Sequence, residues 1–248
     1  MPVALVTGSS RGIGAAVAER FAADGHDVVV NYHTSADAAA ETAVAVRGHG
    51  QEATVVGADV SDPDDAARLV AAAVEDLGGL DHVVNNAGID QHVYTESLDP
   101  ADFDRVMDVN VNSVFNVTKA ALPHLRESDA EPTPSVTNVS SILAYTGAPI
   151  EVHYAGSKGA LLSVTKSHAR DFAPDVRVNA LAPGYVKTAF TEGVRENESI
   201  RQDLLDGIPQ DRFAEPEEIA GAAVYLASDA AGYVTGEVHV ADGGIAAQ

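Results

Sequence analysis

The sequence predicts an α/β protein built on a single doubly wound parallel β-sheet with helices on both faces. Two observations carry that prediction. Short apolar runs of strand length alternate with longer amphipathic stretches along the whole chain, as in a parallel sheet whose strands are buried on both sides. The first run passes directly into a glycine-rich turn and then into a helix-like stretch, the order in which such folds build an anion site.

Taken in order, Ala4-Leu5-Val6-Thr7 is uncharged and reads as the first buried strand. Gly8-Ser9-Ser10-Arg11-Gly12-Ile13-Gly14 follows, and a helix is expected from Ala15 to Ala23, where Asp24-Gly25 stops it. Further strands are expected at Val28–Tyr32, Ala53–Gly57, Leu80–Asn85, Ser135–Val139, Val176–Leu181 and Glu237–Val240. Helices are expected over roughly 35–48, 63–78, 101–127, 153–173 and 215–228. Ser61-Asp62-Pro63 reads as a helix entry, with an acceptor side chain ahead of a proline. Glu127–Pro134 is polar, holds two prolines and reads as a surface loop. No linker rich in Pro, Gly or Ser divides the chain, so residues 1–248 are expected to form one domain.

Composition narrows the function. The 248 residues are 46% hydrophobic, enough for one sizeable core. Cysteine is absent, which excludes disulfides and thiolate chemistry. No stretch approaches the ~20 apolar residues of a membrane span, and the start lacks the charged region of a signal peptide. A cytoplasmic protein with no membrane association is the expectation. The net charge is −22, and no basic patch stands out that would neutralise phosphates, so no nucleic-acid partner is expected. The nine histidines lack ligand-type spacing, and no metal is expected.

Two constellations carry chemistry. In the glycine turn, the backbone can approach a pyrophosphate closely while the following helix start offers free N–H groups and a positive dipole end. The spacing is Gly-x3-Gly-x-Gly, distinct from the commoner Gly-x-Gly-x2-Gly. Farther on, Tyr154 and Lys158 stand four apart in Tyr154-Ala-Gly-Ser-Lys158, which puts them on one helix face. A neighbouring cation stabilises a phenolate and is expected to draw the tyrosine pKa down from about 10 toward the working range of a general acid. Ser141 lies thirteen residues before Tyr154.

Thr7-Gly8-Ser9-Ser10-Arg11-Gly12-Ile13-Gly14, Asn85-Asn86-Ala87-Gly88, Ser141 with Tyr154 and Lys158, and Pro183-Gly184 together resemble the motif set of the short-chain dehydrogenases/reductases. They occur in that family's order, and the similarity runs from residue 3 to about 244. The resemblance implies a Rossmann-type sheet and hydride transfer between a nicotinamide cofactor and a carbonyl. It implies that Tyr154 donates the proton, Ser141 orients the carbonyl oxygen, Lys158 binds the nicotinamide ribose and Asn110 holds a water in a proton relay. Asn112 and Ser140 are the neighbouring alternatives. Cofactor contacts are implied for Gly8, Ser10, Arg11, Gly12, Ile13, Gly14, Asn31, Asp59, Val60, Asn86, Ala87, Gly88, Tyr154, Lys158, Pro183, Gly184 and Thr188. Asp59 also reads as the start of a turn.

The second strand ends in Asn31-Tyr32-His33 with no acid, where an acid would bind a ribose 2′-hydroxyl and repel a 2′-phosphate. Arg11 matches a basic position that accompanies NADP in the family, so NADP(H) is expected over NAD(H). Thr188–Arg212, reaching to about 213, is expected to form the substrate lid, with Ile200, Leu204, Leu205 and Ile208 as its apolar face. Ile208-Pro209-Gln210-Asp211-Arg212-Phe213 ahead of Glu215-Pro216-Glu217-Glu218-Ile219-Ala220, and Gly232-Tyr233-Val234-Thr235-Gly236, look like 3-oxoacyl thioester reductases. The expected substrate is therefore a 3-oxoacyl thioester of coenzyme A or an acyl carrier protein. A sugar or polyol dehydrogenase is the alternative enzyme, and a non-catalytic dinucleotide-binding sensor the third reading. Family relatives are commonly homotetramers built through the long fourth and fifth helices and the last strand.

Thirty-seven acids face fifteen bases, of which four are lysine. At 1 M salt the Debye length is about 3 Å and such surface repulsion largely disappears, so a halophilic protein in a salt-rich cytoplasm is expected, the alternative being an ordinary acidic enzyme whose charge aids solubility. Dialysis from molar potassium chloride into dilute buffer should abolish the folded circular-dichroism spectrum sharply; full retention of that spectrum contradicts the expectation.

Overall fold

The structure is a computed structural model that describes residues 1–128 and 133–247. Part of the expected loop Glu127–Pro134, residues 129–132, lies outside the described residues. Seven strands make one sheet: β1 Val3–Val6, β2 Asp27–Tyr32, β3 Ala53–Gly57, β4 His82–Asn85, β5 Ser135–Val139, β6 Arg177–Pro183 and β7 Val238–Ala241. Their order is β3-β2-β1-β4-β5-β6-β7, and every neighbouring pair is parallel. β1 has β2 on one side and β4 on the other, with Leu5 opposite both Val29 and Val83. The direction of winding reverses there, so a crevice opens outside the carboxyl ends of β1 and β4.

The pleat sends alternate residues to opposite faces. Ala4 and Val6 pack with α1 (Gly12–Ala23), α2 (Ala36–Gly48) and α10 (Pro216–Ala227) in one core that includes Phe21, Val46 and Ile219. Val3 and Leu5 pack with Leu69, Val117, Leu125 and Phe172 in the other core, beneath α3 (Pro63–Leu77), α5 (Ser113–Glu127) and α7 (Val152–Phe172). Two covered faces explain why the strands read as uniform apolar runs.

Helix boundaries follow their local chemistry. Asp62 caps α3 by accepting from the backbone N–H groups of Asp64 and Asp65, Pro63 opens the helix, and Gly78 closes it at φ +88°. Glu215 and Glu218 form a reciprocal capping box on α10.

One expected helix is not continuous. The stretch 101–127 divides into α4 (Pro100–Met107), a π-helical turn Asp108–Asn112, and α5. The wide turn coincides with the buried Asn110, whose side chain is tied to Ile89 and Ser157. The expected strand at Leu80–Asn85 begins at His82; Asp81 instead joins β1 through its backbone N–H to Val3 O and its carboxylate to Val3 N–H.

Beyond β6 the chain makes a 3₁₀ turn (Ala189–Thr191) and the short helices α8 (Glu192–Glu196) and α9 (Glu198–Asp206). The expected apolar face there is only partly covered: Ile208 is buried, Leu204 and Leu205 are half-buried, and Ile200 is exposed. One further short helix, α6 (Leu143–Thr146), precedes α7. Among the described residues no helix is long and apolar enough to cross a membrane.

Candidate active site

The carboxyl end of β1 is held by side chains that satisfy backbone groups. Asn31 Oδ1 accepts from Gly8 N (3.0 Å), while its Nδ2 donates to Val56 O (3.2 Å) and Ala58 O (3.3 Å). Asn86 Nδ2 donates to Thr7 O (2.9 Å) and Gly8 O (3.1 Å). Thr7 Oγ1 accepts from the backbone of Asn86 and Ala87. The turn is thereby clamped between β2 and the segment after β4.

Glycine is required by close approach. Gly8 sits at φ +61°, and a Cβ there would lie 2.9 Å from Ala87 Cα. A Cβ on Gly14 would lie 2.5 Å from Gly8 O and 2.5 Å from Asn86 Nδ2. α1 then starts at Gly12 with no side-chain cap from Arg11, so its first N–H groups open onto the crevice.

The second constellation stands across that crevice. β5 delivers Ser140 and Ser141, and α7 delivers Tyr154, Ser157 and Lys158. The two serines separate by role: Ser140 Oγ is spent on Lys158 O (2.8 Å), whereas Ser141 lines the cleft with Tyr154 and its Oγ accepts from Leu143 N (3.2 Å). Lys158 Nζ donates to Val139 O (2.8 Å) and lies 5.6 Å from the Tyr154 ring centroid. Asn110 Nδ2 donates to Ile89 O and to Ser157 Oγ, while its Oδ1 accepts from Ile89 N. Asn112 instead reaches Asp108 on an exposed surface, which separates it from the site.

Electrostatics here run opposite to the simple expectation for a Tyr–Lys pair. Burial pushes the Tyr154 phenol above its ordinary value; the charges of Asp90 and Glu151 push the same way, and the Ser141 hydroxyl pulls back. Burial lowers Lys158 to about 8, with Asp90 acting against it. A high phenol pKa keeps Tyr154 protonated, as a proton donor must be.

One cleft of about 1170 Å³ gathers these parts. Gly8, Ser10, Arg11, Gly12, Ile13, Gly14, Asn31, Asp59, Val60, Asn86, Ala87, Gly88, Ser141, Tyr154, Lys158, Pro183, Gly184 and Thr188 all line it. Asn110 is fully buried behind it. A Cβ on Gly88 would lie 3.2 Å from Asn110 Oδ1 and 3.4 Å from Lys158 Nζ, and one on Gly12 would lie 3.3 Å from Thr188 Cγ2. The Asn31 amide is consumed by main chain, so it shapes the turn and has little left for a ribose. Asp59 has both expected characters: it accepts from Ser61 as a turn residue and lines the cleft.

Several lining residues escaped the sequence reading. Thr34 and Ser35 line the cleft with Arg11, whose Nη2 reaches Ser35 Oγ at 3.3 Å. Asp90, His92 and Glu151 face Tyr154 from the far end, and the Phe190 ring lies 6.4 Å from the tyrosine ring. Glu151 was within reach, since it stands three residues ahead of Tyr154; its pairing with Asp90 and His92 needs the fold.

A doubly wound sheet with a glycine turn at its switch point and a Ser–Tyr–Lys set opposite defines the class, a dinucleotide-dependent oxidoreductase. A family model described as enoyl-(acyl carrier protein) reductase matches residues 8–246. Glucose 1-dehydrogenase 2 of Bacillus subtilis (strain 168) is 40% identical over 98% of this chain and 93% of its own length. The acetoacetyl-CoA reductase of Allochromatium vinosum is 38% identical over 98% of both chains. A gluconate 5-dehydrogenase of Burkholderia cenocepacia J2315, crystallised with NADP and tartrate, superposes with a TM-score of 0.92 at 31% identity, covering 100% of this chain and 96% of its own. The chain belongs to the short-chain dehydrogenase/reductase family.

The glycine geometry makes a sharp contrast. Gly14→Ala should cost about 1–3 kcal/mol by overpacking, measured by denaturant unfolding. Gly48→Ala, at the exposed end of α2 where a Cβ meets nothing within 4 Å, should gain up to about 0.5–1 kcal/mol. Equal effects at the two positions contradict the cradle described above.

Proposed function

We propose that this chain interconverts a ketone and its secondary alcohol with NADP(H), and the observation that carries the reading is the convergence of Ser141, Tyr154 and Lys158 in one cleft with the glycine turn. The residues fit the cofactor: the glycine cradle excludes any Cβ, and the uncapped start of α1 suits a pyrophosphate. When bound, the nicotinamide supplies or receives the hydride. Ser141 and Tyr154 then hold the carbonyl oxygen where negative charge develops, and Tyr154 passes its proton to that oxygen. Lys158, charged below about 8, stabilises the resulting phenolate and holds the nicotinamide ribose. Asn110, locked to Ile89 and Ser157, acts in the proton relay that restores the phenol.

Arg11 and the lack of an acid at the end of β2 support NADP(H), because a guanidinium binds a phosphate with two parallel hydrogen bonds. Two substrate classes have support. The 3-oxoacyl thioester reading draws on residues 208–213 and on the 38% identity to an acetoacetyl-CoA reductase. The sugar or polyol reading draws on the 40% identity to a glucose 1-dehydrogenase and on the gluconate 5-dehydrogenase likeness. A cytoplasmic, salt-adapted homotetramer completes the proposal; exposed Phe115 on α5, Val152 on α7 and Val240 on β7 support its interfaces.

The test follows NADPH oxidation with acetoacetyl-CoA and NADP⁺ reduction with glucose in molar potassium chloride, with NADH and NAD⁺ in parallel. One of these substrates should turn over with the phosphorylated cofactor, and Tyr154→Phe should lower kcat by about 10²–10⁴-fold. Full activity in the Tyr154→Phe variant rejects the assigned proton donor.

A further inference from the structure

The end of the cleft in front of Tyr154 carries three polar groups that hydride transfer itself does not require. Asp90 and His92 follow the loop after β4, and Glu151 stands immediately before α7. The Val93 backbone N–H donates to Ile150 O at 2.8 Å, joining the two segments. Ile150 sits at φ +61°, an unfavourable conformation for a β-branched residue. His92 Nε2 lies 3.1 Å from Asp90 Oδ2 and 3.5 Å from Glu151 Oε1. The two carboxylate side chains are only 12% and 16% exposed, while His92 is 46% exposed.

We propose that Asp90, His92 and Glu151 form a subsite that binds the hydroxyl groups of an uncharged polyhydroxylated substrate, a sugar or polyol, and turns anionic substrates away. The inference rests on the oxidoreductase reading above, because it assigns these residues to the substrate of the same reaction.

Placement is the first argument. All three line the cleft that holds Tyr154 and Ser141, and the charges of Asp90 and Glu151 both act on the Tyr154 phenol. Whatever carbonyl or alcohol meets that phenol extends alongside two largely buried acids. A carboxylate group on the substrate would face like charge in a poorly solvated space, which is strongly unfavourable. An acyl chain would strip water from both acids and return no donor in its place, leaving them only His92 and the Gln91 N–H.

Chemistry is the second argument. Hydroxyl groups both donate and accept, and so do the groups presented here. His92 Nε2 is turned to both carboxylates, which leaves its Nδ1 for a substrate hydroxyl. Glu151 is raised to about 6 by burial and by Asp90, with His92 acting against them, so its carboxyl exchanges a proton close to neutral pH. Two carboxylates with the His92 ring between them offer neighbouring substrate hydroxyls several acceptors in the cleft. Sites built to hydrogen-bond a substrate hydroxyl reject analogues lacking it far more strongly than apolar pockets reject an added methylene.

The experiment measures kcat/KM with NADP⁺ for glucose, sorbitol, gluconate and 2-butanol, and with NADPH for acetoacetyl-CoA. It uses the native protein, Asp90→Asn and Glu151→Gln, all shown by fluorescence titration to bind NADPH. Glucose or sorbitol should exceed gluconate and 2-butanol by about tenfold or more in the native protein. Each variant should narrow the ratio to gluconate by about tenfold, chiefly through a higher KM for the neutral sugar or polyol. Preference for gluconate or acetoacetyl-CoA in the native protein overturns the proposal, as do unchanged ratios in NADPH-binding variants. Loss of turnover on adding EDTA with recovery on adding zinc also overturns it, because the three groups would then hold a cation. Turnover of nothing in the panel by an NADPH-binding protein overturns the oxidoreductase reading and the subsite together, whereas turnover with unchanged ratios overturns the subsite alone.

Discussion

The structure depends on how polar backbone groups are satisfied where the parallel strands end. β1 and β4 stop side by side at the sheet's reversal of winding, and their loops must diverge there without orphaning buried N–H and C=O groups. Asn31, Thr7, Asn86 and Asn110 supply the missing partners, each reaching a neighbouring loop. Those bonds pull Gly8 against Ala87 so closely that no side chain fits between them. The cleft is thus a consequence of fastening, and its rigidity comes from short side chains with little rotamer freedom to lose.

The same fastening aligns the reacting groups. Asn110 interrupts the long helix with a π turn and ties Ile89 to Ser157 on α7. One turn of helix places Tyr154 and Lys158 on the face that looks across to Ser141. Burial then acts on the pair in opposite directions, raising the phenol and lowering the ammonium to about 8. The two pKa values are thereby driven apart, the phenol upward and the ammonium downward. Acids in front of the phenol hold it protonated, so substrate and cofactor contacts, rather than the lysine alone, must favour ionisation.

Much of this was legible in the sequence for definite reasons. Strands covered on both faces leave uniform apolar runs, and all seven were found near their true positions. The Gly-x3-Gly-x-Gly turn, Ser141 and the Tyr154–Lys158 pair are local patterns set by backbone sterics and helical spacing, so one chain suffices to see them. What failed depended on tertiary context. The break at Asp108–Asn112 is imposed by contacts to Ile89 and Ser157, which periodicity cannot register. Asn31 lines the cleft as expected, and the further use of its amide to fasten Gly8, Val56 and Ala58 is set by tertiary contacts that the sequence does not display. The Tyr154 shift was misjudged in sign because a neighbouring cation is visible at i+4, whereas burial and the distant Asp90 are not. Asp90 and Glu151 of the trio with His92 stand sixty-one positions apart, and the trio exists only once the loop after β4 meets the segment before α7.

The central claim is that hydride transfer occurs where the glycine turn and the Ser141–Tyr154–Lys158 set face each other. Isotope transfer tests it most directly: NADPH carrying deuterium at the reactive position of the nicotinamide is turned over with a carbonyl substrate of the protein, and the product is analysed by mass spectrometry. The account predicts one deuterium on the new carbinol carbon, and no product above background from a Tyr154→Phe, Lys158→Ala double variant that still binds NADPH. A product without deuterium, or labelled product at the native rate from that variant, would contradict it.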